Sequence, residues 1–164
     1  MKRARTLAAV AVSLIAVLPT AGCYQGFDST VNTQTPSGDG VDFQVGDLLV
    51  QDTTIVASEA NPARASVIFT VINTGEVDDA VTAVTVEGTT ATLRTVPLRV
   101  DSGAAVKVGG DSDNQVLVTG LTTRAGSYAE VTMTFRNAGS TTQQIAVVRG
   151  VGYYADYAPA AAAD

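Results

Sequence analysis

The 164-residue sequence has no histidine, no tryptophan and a single cysteine, and each shortage removes a class of function. Without histidine, the Ser-His-Asp and Cys-His arrangements that activate a nucleophile cannot be assembled. Zinc and copper sites lose their commonest ligand, and the only methionine after the initiator is Met133. One cysteine excludes an intrachain disulfide. Leu7 to Leu18 is an unbroken run of apolar and small residues, but at about twelve residues it falls short of the roughly twenty that a spanning helix needs. Sustained helical periodicity and an internal repeat of fixed period are also missing.

What is present begins with a processing signal. Lys2, Arg3 and Arg5 form a basic n-region ahead of the apolar run, and residues 1–22 read as a leader rather than as part of the fold. The segment ends in Leu18-Pro-Thr-Ala-Gly-Cys23, which resembles a bacterial lipobox, with Thr20 where the motif prefers leucine. Cleavage after Gly22 would leave Cys23 as a diacylated N-terminus. The alternative, an ordinary thiol beside a cleavage site, would give an exported protein an unpaired cysteine, which is unusual. Two acyl chains contribute about 0.8 kcal/mol per buried CH₂, enough for stable anchoring. The expected location is therefore the outer face of the plasma membrane, with membrane lipid as the first partner through Cys23.

Removing the leader leaves 142 residues, enough for one ordinary domain. Three of the ten Lys/Arg go with it, so seven basic residues face sixteen acidic ones, a net charge of −9. That balance argues against a nucleic-acid partner. Residues 23–40 carry the lipidated cysteine and a stretch rich in Thr, Ser, Gly, Asn and Asp, which reads as a flexible tether. Its seventeen residues after Cys23 span roughly 20 to 25 Å as a random coil.

From 41 to 152, β-rich runs alternate with turn signals about every 8 to 12 residues, the spacing of an all-β sandwich. The expected strands are Phe43–Val56, Arg64–Asn73, Ala80–Val86, Ala91–Val100, Ala105–Val108, Gln115–Thr119, Tyr128–Asn137 and Gln143–Val148. Turns are expected at Asn73-Thr-Gly75, Glu87-Gly88, Asp101-Ser-Gly103, Gly109-Gly110, Ala125-Gly126 and Ala138-Gly139. Ala129, Val131, Met133 and Phe135 alternate with Glu130, Thr132, Thr134 and Arg136, so that strand should bury one face and wet the other. Ala65, Val67, Phe69 and Val71 alternate similarly, but Ile68 and Ile72 on the opposite face imply a strand that is central or covered on both sides.

The tail, 153–164, is rich in Tyr and Ala, with Tyr153, Tyr154 and Tyr157 within five residues. It reads either as a partner-docking segment or as a last strand packing its rings on the domain edge before a frayed end. The carboxylate pairs Asp78-Asp79 and Asp111/Asp113 invite acid/base or calcium readings. They fall in expected turns, where solvated side chains are the simpler reading. Asp111-Ser-Asp113-Asn114 lacks the downstream bidentate glutamate of an EF-hand. Gly109-Gly110 is not followed by a helix that could complete a phosphate cradle. Met133 reads as core packing. No catalytic, cofactor or metal residues are expected, no small-molecule substrate is implied, and the chain is not expected to be an enzyme.

Val67-Ile-Phe-Thr-Val-Ile-Asn-Thr-Gly75, Asp78-Asp79, Val84, Val100-Asp-Ser-Gly103, Gly120-Leu121, Val131-Thr-Met-Thr-Phe135 and Ala138-Gly139 together resemble the PCuAC family of periplasmic copper chaperones over about residues 45–148. The resemblance implies a single cupredoxin-like or Ig-like antiparallel β-sandwich. It also implies where Cu(I) ligands would stand, and they are missing. The first histidine falls near Arg94, the methionine-bearing segment shortens to Thr95-Val-Pro97, and the H-x-M triplet reads Gln115-Val-Leu117. Lipobox, tether and ligand-poor sandwich are together similar to actinobacterial lipoproteins of the LpqE type. That similarity implies a non-catalytic interaction module, an accessory subunit on the outer face of the cytochrome bcc-aa3 respiratory complex. The alternative is a copper chaperone for oxidase assembly that uses unrecognised ligands.

Overall fold

The computed structural model describes residues 40–159, so Cys23, the leader and most of the tether lie outside the described residues, as do 160–164. Eleven strands build a β-sandwich that is nearly closed into a barrel. They are β1 (Val41–Val45), β2 (Leu48–Ala57), β3 (Arg64–Asn73), β4 (Asp79–Val86), β5 (Thr89–Thr90), β6 (Thr92–Leu93), β7 (Leu98–Val100), β8 (Ala105–Val108), β9 (Val116–Thr119), β10 (Tyr128–Phe135) and β11 (Ser140–Arg149). Hydrogen bonding runs in the order β5-β4-β10-β11-β2-β3-β9-β6, with β1 on β2, β7 on β4 and β8 on β3. All ladders are antiparallel except one: β11 leaves β10 and pairs its last three residues in parallel with Ile55–Ala57 of β2, joining the two layers.

Two of the expected strands are divided. Phe43–Val56 breaks at Gly46-Asp47 into the β1–β2 hairpin, and the Asp47 carbonyl accepts from both the amide and the hydroxyl of Thr74, fixing that turn to the neighbouring corner. Ala91–Val100 becomes two short strands, β6 and β7. Buried Ala91 donates to Val84 O at the edge of one layer, after which β6 joins β9 in the other layer. Pro97 has no N–H, so the ladder cannot run on through 94–97.

The alternation along β10 holds throughout: Ala129, Val131, Met133 and Phe135 are all buried in the core. In β2 the core positions change parity, from Leu48 and Val50 to Ile55 and Ala57. A one-residue bulge between Gln51 and Thr54 produces the change, because an extra residue keeps both halves of the strand facing inward. Asp52 sits in that bulge with φ of 55°, and its amide donates to Asp42 Oδ1 at 2.8 Å.

β3 is central, between β2 and the β8/β9 pair. Its inner residues join the core, while Ser66 and Ile68 on its outer face, with Val56 of β2, are buried apart from the main core cluster. Part of their cover is the C-terminal segment. It does not form a final strand, as one reading of the sequence had it, but a six-residue 3-10 turn, Gly152–Tyr157, followed by buried Pro159. Ser66 Oγ donates to Tyr157 O. Two glycines make room for the segment: a Cβ on Gly150 would lie 2.5 Å from Ala158 Cβ, and one on Gly110 would lie 2.8 Å from the Tyr157 ring.

Candidate functional site

The positions that the sequence resemblance assigns to metal ligands meet where β6 lies against β9. Thr92 pairs with Leu117 and Leu93 with Val116, and Arg94 N donates to Gln115 O at 2.9 Å. The fold therefore brings Arg94, Thr95, Gln115 and Leu117 to one end of one ladder. Their chemistry is unsuited to a soft cation. Arg94 is an exposed guanidinium. Gln115 turns its amide nitrogen to the carbonyls of Gly110 (3.1 Å) and Ser112 (2.7 Å), bracing the 109–114 loop. Leu117 offers no donor atom. Met133, the one thioether among the described residues, is 1% exposed and packs in the core on β10, in the other layer. Among the described residues no group of three or more His, Cys, Asp or Glu side chains converges as a metal site would require.

The acidic pairs separate in role. Asp79 is not the solvated turn residue that its sequence context implied, but is 5% exposed. Its Oδ1 accepts from the amides of Ala80 (2.7 Å) and Asn137 (2.9 Å), and its Oδ2 accepts from that of Ala138 (2.9 Å). Burial raises its pKa, but the backbone donors Asn137, Ala80, Ala138 and Arg136 outweigh this and hold it below the ordinary aspartate value. A carboxylate tied up in this way is a brace between β4 and the β10–β11 turn, not a free acid or base. Asp78 pairs with Arg99 at 2.7 Å, and exposed Asp111 pairs with Lys107 at 3.3 Å.

Glu87 was not singled out by sequence reasoning, although its place in a Glu-Gly turn marked the position. Its Oε2 accepts from the amide (2.9 Å) and hydroxyl (2.8 Å) of Thr122, and its Oε1 from the hydroxyl of Thr123. The Thr123 hydroxyl, followed by the Thr122 amide, keeps this carboxyl below its usual range. It too is structural, linking the β4–β5 turn to the segment after Leu121.

A cleft of about 580 Å³ lies under the C-terminal segment. Tyr153, Tyr154 and Tyr157 form one wall, β3 contributes Ile68 and Thr70, and Asp52 and Lys107 lie on its rim. The rings pack on one another, with centroids 5.1 to 6.3 Å apart, and Lys107 Nζ stands 5.7 Å from the Tyr157 centroid. Tyr153 remains 78% exposed. The tyrosine run is therefore at once a cover for the outer face of β3 and an open aromatic surface. Cys23 lies outside the described residues, and among the described residues no helix is long and apolar enough to cross a membrane.

The sequence matches no protein-family model and no curated protein. Solved structures do match. The copper-bound PCuAC domain from PmoF2 is 18% identical with a TM-score of 0.59, covering 66% of this chain and 98% of its own. The apo PCuAC domain from PmoF1 is 19% identical with a TM-score of 0.60, covering 66% and 99%. The apo PmoF2 domain gives 18% and 0.57. The sandwich is PCuAC-like, and at these identities the likeness concerns the fold.

Proposed function

We propose that this chain is a lipid-anchored, non-catalytic binding module on the outer face of the plasma membrane. One observation carries the reading: at the β6–β9 end, where PCuAC resemblance would put Cu(I) ligands, stand Arg94, Thr95, Gln115 and Leu117, and Gln115 is already committed to its own loop. A retained scaffold without soft donors suits a protein that works by docking. The LpqE-type resemblance supports a finer version, an accessory subunit on the outer face of the bcc-aa3 respiratory complex. Affinity purification of the full chain from gently solubilised membranes tests it, and recovery of the lipoprotein alone would count against it.

A second reading is favoured by the solved neighbours, which support a copper-chaperone-like domain more directly than they support an accessory subunit. On the donor chemistry above, the full chain should fail to compete with a strong Cu(I) chelator. The triple variant R94H/Q115H/L117M should gain measurable competition, because it restores imidazole and thioether donors on adjacent strands. Tight stoichiometric Cu(I) binding by the unmodified chain would replace the docking reading with the chaperone one.

A further inference from the structure

We propose that the cleft beneath the C-terminal turn is a binding site for a neutral saccharide, with a sugar ring stacked on Tyr153 and its hydroxyls shared among Asp52, Thr54, Thr70 and Lys107. The proposal is independent of the anchor and of any protein partner. At about 580 Å³ the cleft is of the size that holds small ligands.

The sequence shapes its walls closely. A Cβ on Gly110 would collide with the Tyr157 ring, and one on Gly40 would lie 2.5 Å from the Asp52 backbone. Asp52 is held at φ of 55° by the bulge and by Asp42, so the backbone of the one carboxylate lining the cleft is fixed.

Charge, ring geometry and backbone each narrow the ligand. The rim has one carboxylate and one ammonium, and Lys107 already has Asp111 at 3.3 Å, so neither a strong anion nor a strong cation is favoured. With centroids 5.1 to 6.3 Å apart, the rings pack edge-on and tilted against one another and leave no cage between them for a quaternary ammonium. Tyr153 nevertheless offers an open face, 78% exposed. The floor is the face of β3, whose two edges are already paired with β2 and with β8 and β9, so an extended peptide would find no free edge to join. What remains is a ligand with apolar C–H faces and several hydroxyls.

The full chain lacks tryptophan, and three of its five tyrosines line the cleft, so tyrosine emission reports directly on the site. Maltotriose, mannotriose and tri-N-acetylchitotriose are the probes, with a hexa-arginine peptide as the competing ligand class. At least one trisaccharide should give a saturable change with a Kd of about 1 mM, weakened roughly tenfold or more in Y153A and in D52N. Asparagine tolerates the left-handed conformation, so D52N should keep the fold, which far-UV circular dichroism checks. Y128A, at an exposed tyrosine that does not line the cleft, should bind as the unmodified chain does. No saturable response to any trisaccharide, a response unchanged in Y153A, or binding of the arginine peptide alone would each overturn the proposal.

Discussion

Replacing Asp79 with asparagine tests whether a single buried carboxylate braces the start of β4 against the β10–β11 turn. In the native chain its two oxygens take three backbone amides within 2.9 Å, from Ala80, Asn137 and Ala138. Asparagine keeps one acceptor but turns an NH₂ toward at least one of these donors and removes the charge. Hydrogen bonds to charged groups contribute about 1.5 to 3 kcal/mol each, and water can reach the partly exposed amides of 137 and 138, so a loss of about 2 to 4 kcal/mol at pH 7 is expected. In a domain of this size that lowers Tm by roughly 10 °C. The pH dependence follows from the depressed pKa. The unfolded aspartate titrates near about 4 and takes up its proton before the folded one does, so Asp79's contribution is complete above about pH 5. It declines as pH falls through the folded value. Urea unfolding of D79N and the unmodified chain should therefore show a gap that is largest near neutrality and narrows below about pH 4. A loss under about 1 kcal/mol at pH 7, or a gap independent of pH, would refute the reasoning.

Other substitutions probe different parts of the argument. Gly110→Val puts a branched side chain at φ of 64° with its Cβ 2.8 Å from the Tyr157 ring, so it should lift the tyrosine turn at a cost of about 2 kcal/mol. Limited proteolysis should then cut within 151–158 while the sandwich stays intact. Glu87→Ala leaves the Thr122 amide and two threonine hydroxyls without their acceptor and should destabilise by about 1 kcal/mol in urea unfolding, with m unchanged. Cys23→Ser should move the chain from the membrane fraction to the soluble extracytoplasmic fraction, since no other anchor is proposed.

Most strands could be read from the sequence because burying one face of a strand imposes a period of two on its neighbours in the chain. Ala129, Val131, Met133 and Phe135 obey that rule without interruption, and Ile68 opposite Val67 and Phe69 correctly signalled a strand with a second cover. The division of Phe43–Val56 was harder to see, since Gly46-Asp47 is a weak turn signal on its own and the parity change at Asp52 makes sense only once β3 lies alongside. At the candidate site, the residues standing at Arg94 and Gln115–Leu117 were visible in order and spacing, but their meeting on adjacent strands depends on the pairing of β6 with β9.

By itself, then, the sequence determined the β class, most turn positions, the absence of histidine chemistry and the expectation of an anchor at Cys23, because these depend on local periodicity and on which functional groups exist. Tertiary structure alone decided that Asp79 is a buried brace, not a wet turn residue, since its donors come from both Ala80 beside it and Asn137 and Ala138 far along the chain. It also decided that the three tyrosines fold back over β3 in a 3-10 turn. No periodicity encodes that placement. It rests on the bare faces of Gly110 and Gly150 and on the outward Ser66 and Ile68, residues separated by up to 84 positions that only the folded chain brings together.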